Sequence, residues 1–307
     1  MNKLKFMLAA LALAALAIVG CEKSNQILSS AEPINETESL AKADAATGSG
    51  FSGQRLFAVT SRNRLLQFNS NFPRDARSRG RVTGLQEGEK LLGIDFRPFN
   101  GKLYGLGSSS RLYVIDVLTR VATPVGAGPF SPGLNGTAFG FDFNPTVDRI
   151  RVVSNRGQNF RLHPDLGTVV DFDLNTAGIQ PDLSLVYATT DANVNRQPRV
   201  AGAAYTNPDN DPNTGTTLYD IDVRLDILTI QNPPNNGVLN TVGALGRNAR
   251  RLLGFDIAPS GIAYAAWAED DDDNRLVRID LATGRATKLG EIDTDDETIV
   301  GLAAPAP

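Results

Sequence analysis

One phrase occurs five times in this chain and restricts its fold more than any other feature. It reads as two apolar residues, a glycine, an apolar or small residue, then Asp or Ala, with a proline soon after. The copies are Leu91-Leu92-Gly93-Ile94-Asp95, Ala138-Phe139-Gly140-Phe141-Asp142, Val200-Ala201-Gly202-Ala203-Ala204, Leu252-Leu253-Gly254-Phe255-Asp256 and Ile299-Val300-Gly301-Leu302-Ala303. Glycine to glycine, the spacings are 47, 62, 52 and 47 residues. Repeats of this period indicate a solenoid, a propeller or an array.

The segments downstream of the phrase recur as well. After Pro98 come Leu103-Tyr104-Gly105-Leu106, then Arg111-Leu112-Tyr113-Val114-Ile115-Asp116, then Arg120 to Gly126. After Pro259 come Ile262-Ala263-Tyr264-Ala265-Ala266, then Arg275-Leu276-Val277-Arg278-Ile279-Asp280, then Arg285 to Gly290. These short apolar runs, separated by Gly, Asn, Asp and Pro turns, predict four antiparallel strands per repeat. Helix-length apolar periods do not occur in the body of the chain. The expected fold is therefore all-β, a β-propeller.

The repeat count predicts how the ring closes. The last phrase has no strands after it, and the first strands, around Leu56–Thr60 and Arg64–Phe68, have no phrase before them. Together they make one blade, with its inner strand from the C-terminus and its outer three from the N-terminus. Such closure removes exposed sheet edges. The expectation is five blades, although the 62-residue spacing, with extra chain between Asp173 and Arg199, leaves room for a sixth.

The N-terminus reads as an address. Lys3 and Lys5 precede an apolar or small run from Phe6 to Gly20, too short for a comfortable membrane span and suited to a secretory signal. Ile18-Val19-Gly20-Cys21 resembles a bacterial lipobox, and Cys21 is the only cysteine of the chain. The expected domains are a lipoprotein signal peptide (1–20), a lipidated Cys21 with a flexible tether (21–53) and the propeller (54–307). Cys21 would partner the lipid bilayer. A tether of that composition and length reaches roughly 30 Å. Glu22, rather than aspartate, follows the cysteine, which points to the outer rather than the inner membrane of the cell envelope.

The stretch Gly140-Phe141-Asp142-Phe143-Asn144-Pro145, Asp148-Arg149-Ile150-Arg151-Val152-Val153-Ser154-Asn155 and Gly157-Gln158-Asn159-Phe160-Arg161 resembles a bacterial family, domain of unknown function 4394. The resemblance runs from about Leu56 to Ala304 and is most specific from Gly140 to Gly167. His163 and Leu166 depart from its pattern. It implies a propeller-like fold and brings no activity.

Candidate sites come from the repeat and from local clusters. Asp95, Asp142 and Asp256 occupy equivalent positions on three inner strands, with Ala204 and Ala303 on the other two. Carboxylates converging on an axis can bind a cation or act as acid and base. That role needs a shared solvent-filled pocket, whereas a structural role has each aspartate accept hydrogen bonds from the turn after its own strand. Arg149, Arg151, Asn155 and Arg161, with Arg156 beside them, concentrate groups suited to a carboxylate or phosphate. The structural alternative is salt bridging to acids such as Asp142 or Asp148. Asp209, Asp211 and Asn213 alternate as oxygen ligands do around Ca²⁺, though Thr214 stands where an EF-hand loop needs glycine. No other cofactor is expected.

One cysteine and one histidine exclude a disulfide framework and a Cys/His zinc cluster. The formal charge of −4 includes two lysines that signal cleavage would remove, which opposes a nucleic-acid partner. Three functions remain. The first is a non-enzymatic binding module for a protein or glycan partner. The second is a glycan- or ester-directed hydrolase or lyase using Asp95, Asp142 and Asp256, with or without a divalent metal. The third is a structural envelope protein with no small ligand.

Overall fold

The computed structural model describes residues 53–249, 253–269 and 273–305. The chain divides into residues 1–48 and 49–307, and every described residue belongs to the second unit. The signal peptide, Cys21 and all but the last residue of the tether lie outside the described residues.

Five sheets form a five-bladed β-propeller, with no α-helix among the described residues. Blade one joins β1 (Arg55–Thr60), β2 (Arg64–Asn69) and β3 (Phe72–Arg81) to the last strand of the chain. Blade two is β4 (Leu91–Phe96), β5 (Leu103–Gly107), β6 (Arg111–Ile115) and β7 (Ala122–Val125). Blade three is β8 (Phe139–Asn144), β9 (Arg149–Ser154) and β10 (Asn159–Leu162). Blade four holds β11 (Val186–Tyr187), β12 (Val200–Tyr205), β13 (Leu218–Asp222), β14 (Ile227–Gln231) and β15 (Val238–Ala244). Blade five is β16 (Leu253–Ile257), β17 (Ala263–Ala268), β18 (Asn274–Ile279) and β19 (Ala286–Glu291). The closing strand β20 (Ile299–Ala303) pairs antiparallel with β1, setting Phe57 opposite Ala303 and Ala58 opposite Leu302.

The 62-residue spacing does not contain a sixth blade. Its extra chain leaves blade three with three strands and adds β11, in parallel, to β15 at the outer edge of blade four. Blades three and four thus depart from the four strands expected in each. The added strand satisfies backbone groups that an outer edge otherwise leaves open.

Burial falls from the axis outward. The inner strands carry the phrase and are buried almost throughout: all six residues of β12 are buried, whereas β3 is largely exposed. The core lies between blades. One cluster joins blades four and five around Trp267, Phe255 and Leu228. Others join blades five and one around Tyr264, Leu276 and Leu56, and blades two and three around Phe141, Leu106 and Val152.

The phrase glycine explains how five strands meet at one axis. A Cβ built on Gly254 would lie 2.4 Å from the backbone nitrogen of Leu302 on β20. One on Gly140 would lie 2.6 Å from the nitrogen of Ala203 on β12. Gly93, Gly202 and Gly301 each face the next inner strand in the same sense, so the five close approaches run once around the ring. The axis is filled, and the cavity left among these strands is about 10 Å³, room for a water molecule at most.

Candidate functional site

The three aspartates of the phrase meet near this axis. One carboxyl oxygen from each of Asp95, Asp142 and Asp256 lies within 4.8 Å of the other two. Asp95 accepts the backbone N–H of Phe96 at 2.7 Å and of Phe143, on the next blade, at 2.8 Å. Asp142 accepts the N–H of Tyr205 on blade four at 2.9 Å. Asp256 accepts from Ile257 at 2.6 Å and from Ala304, beyond β20, at 2.5 Å. Each aspartate therefore clasps the inner strand of the following blade. Sequence alone offers a solvent-filled pocket or a bond to the aspartate's own turn; the structure places the three in a sealed cluster with bonds across blades.

Burial penalises charge on all three. It pushes Asp95 and Asp142 well above the usual carboxylate range, with neighbouring carboxylates adding to the effect and the amide donors opposing it. Burial likewise pushes Asp256 up to about 7, against the donors of Ala304 and Ile257. Ionising any two costs at least about 3 kcal/mol in mutual repulsion at an effective dielectric constant of about 20. The cluster therefore suits shared protons or a hard cation.

The arginine-rich segment separates. Arg151 is buried and donates to Asp182 at 2.6 Å, Asn159 at 2.7 Å and Asn235 at 2.8 Å. Arg161 donates to the same Asp182 carboxylate at 2.8–3.0 Å. Asp182, from the long insertion, thus answers both cations in place of the acids expected from sequence. Arg149 donates to the carbonyl of Asp148 at 2.8 Å, at the opposite end of β9 from Asn155. Asp209, Asp211 and Asn213 are exposed, and their loop folds on itself: Asp209 accepts the N–H of Asp211, and Asp211 accepts that of Asn213.

Asn155 leads to a second place of interest. Between blades three and four, on the face where the inner strands begin, a cleft of about 610 Å³ is lined by Asn135, Thr137, Asn155, Arg156, Gln197, Arg199, Val223 and Arg224. Arg156, Arg199 and Arg224 are exposed, and their guanidinium groups have no acceptor among the described residues. Among the described residues the lining includes no acid.

The cleft has a firm base. Buried Asp222 accepts the backbone N–H of Arg199 at 3.0 Å, of Arg224 at 2.8 Å and the hydroxyl of Tyr187 at 2.6 Å. One carboxylate thus fixes the main chain beneath two arginines. Thr137 and Asn155 brace each other through two hydrogen bonds, 3.1 and 2.9 Å. Sequence reasoning reaches Arg156 and Asn155 but misses Arg199, Arg224 and Asp222. A signal exists: Arg224 stands two residues past the end of β13, as Arg156 stands two past the end of β9.

Residues 64–303 match a known family over most of the chain. The chain belongs to the family described as Domain of unknown function (DUF4394). No curated protein matches it. Among solved structures, this family member is similar to a structural genomics protein of unknown function from Bacteroides thetaiotaomicron, at 15% identity and a TM-score of 0.43, covering 78% of this chain and 58% of that one. It is also similar to Kuenenia stuttgartiensis hydrazine synthase, at 13% identity and a TM-score of 0.38, covering 66% and 49%. A third is dihydro-heme d1 dehydrogenase NirN, at 11% identity and a TM-score of 0.36, covering 80% and 45%. The chain spans about half the length of these proteins.

Proposed function

We propose that this chain is a cell-envelope lipoprotein, anchored by a lipidated Cys21 and a tether, and that its propeller is a non-catalytic binding module. The observation that carries the binding half is the contrast between a sealed axis and an open, cation-lined cleft at blades three and four. Asp95, Asp142 and Asp256 are buried, and the glycine-bearing stretch of the inner strands beside them leaves a cavity of only about 10 Å³, whereas the cleft is open to solvent and braced from below. The lipobox-like Ile18-Val19-Gly20-Cys21 supports the anchor, and Glu22 supports the outer membrane.

The anchor is tested by Cys21→Ser in a bacterial host. The variant is expected in the soluble fraction, and retention in the membrane equal to that of the parent overturns the lipoprotein reading.

A second reading comes from the convergence of three carboxylates within 4.8 Å: an axial cation site, with Ca²⁺ the expected class of ion. Thermal unfolding of the full-length protein in EDTA and then in excess Ca²⁺ separates the two. The binding-module reading expects no shift. An ion at a hundredfold over its Kd adds about 2.7 kcal/mol, and a rise of that size would move the functional weight to the axis.

A further inference from the structure

We infer that the cleft between blades three and four binds an acidic saccharide. Its anionic group would be taken by Arg156, Arg199 and Arg224, and its hydroxyls by the neighbouring amide and hydroxyl side chains. This rests on the binding-module reading above and names the class of its ligand.

The charge argument comes first. The chain carries 34 acids against 30 lysines and arginines, yet this cleft gathers three guanidinium groups and no acid. Other arginines of blades two and three are answered internally: Arg151 and Arg161 by Asp182, and Arg97, on the opposite face of the ring, by Asp148 and Asp165. Three exposed cations in one lining repel each other, and an incoming anion relieves that repulsion. A guanidinium presents paired donors that match a carboxylate bidentately.

The rest of the lining selects among anions. Asn135, Thr137 and Gln197 are exposed, and each side chain both donates and accepts, the pairing that vicinal sugar hydroxyls need. Among the described residues, Val223 is the sole apolar side chain of the lining, and no aromatic ring stands there. That argues against an acyl chain, which needs apolar walls, and against a nucleic-acid strand, whose bases need stacking platforms. A cleft open at the ring face also admits an internal segment of a polymer.

The geometry is built rather than incidental. Asp222 holds the main chain at both Arg199 and Arg224 and is itself fully buried. Tyr187, which donates to that carboxylate, arrives on β11, the strand that the long insertion adds. The insertion that breaks the four-strand pattern thus contributes to the floor of the cleft.

The test is isothermal titration of the full-length protein in detergent with three probes: a uronate trimer, the same trimer with its carboxylates reduced to alcohols, and inorganic phosphate. The uronate trimer is expected to bind, and to bind less tightly as salt is raised. The reduced trimer is expected to bind about tenfold more weakly or worse, as is the uronate trimer to an Arg199→Gln/Arg224→Gln double variant. The variant should unfold at the parent temperature, because both side chains are exposed and have no acceptor among the described residues. Equal binding of the charged and reduced trimers overturns the inference. Arginine-dependent binding of phosphate without the uronate overturns the saccharide assignment and leaves the cleft as an anion site. If no probe binds, or the double variant binds like the parent, both the ligand class and the cleft reading fall.

Discussion

The axis and the cleft each gather three ionisable groups of one kind, and they handle them in opposite ways. At the axis, Asp95, Asp142 and Asp256 are buried and backbone N–H groups answer five of their six oxygens. In the cleft, Arg156, Arg199 and Arg224 face water, and no acceptor among the described residues answers them. Buried like charges persist only when the surrounding structure compensates them. Exposed like charges need no such compensation, so their gathering is not explained by folding. The same physics that makes the axial cluster look structural therefore makes the cleft look functional.

That division predicts unequal sensitivity to mutation. Gly254→Val forces a branched side chain onto the backbone of β20, where even a Cβ would lie 2.4 Å from the Leu302 nitrogen. Overpacking of this kind is expected to cost about 3 kcal/mol or to prevent ring closure. Arg156→Gln, in the cleft, is expected to change stability by no more than about 0.5 kcal/mol. Urea unfolding of both variants against the parent reads the comparison. A tolerated Gly254→Val would mean that the inner strands can separate, and the axis could then no longer be regarded as sealed.

The two regions also differ in how legible they are in sequence. The phrase is periodic, so its glycines, aspartates and ring closure can be read directly from spacing, and Phe57 opposite Ala303 is the closure that the unmatched ends imply. The cleft assembles Asn135, Arg156, Gln197, Arg199 and Arg224 from four separate connections, which no local spacing joins. Proximity along the chain groups Arg149, Arg151 and Arg161 with Asn155. The length of β9, with Arg149 at one end and Asn155 past the other, and the distant Asp182 separate them, because a buried guanidinium needs a carboxylate and the insertion supplies one. The cross-blade bonds of the aspartates are equally beyond sequence, since they depend on the stagger between neighbouring inner strands. Likewise the insertion leaves five or six blades open, until its parallel pairing with β15 places it on an outer edge.

The axial cluster can be probed more finely through pH. Asp256 is held at about 7 and its two partners are pushed up in the same direction, against about 3.9 for an unfolded aspartate. Between those values the folded state binds more protons than the unfolded state, so stability falls as pH rises. The contribution of the neutral Asp256 carboxyl is complete below about pH 4 and is lost on passing through about pH 7, and Asp95 and Asp142 act in the same direction. The melting temperature of the parent is therefore expected to drop between about pH 5 and about pH 8. Asp142→Asn keeps an acceptor for the Tyr205 N–H while removing one charge from the cluster. It should flatten that drop and raise stability at about pH 8 by about 1–3 kcal/mol, the size of one relieved repulsion. The cleft arginines stay cationic across this range, so Arg156→Gln should leave the slope as it is. A parent whose melting temperature is level across that range, or an Asp142→Asn variant as steep as the parent, would show that the axial carboxylates are neutralised by something other than protons. A bound cation would then be the first candidate, and the contrast between a structural axis and a functional cleft would have to be redrawn.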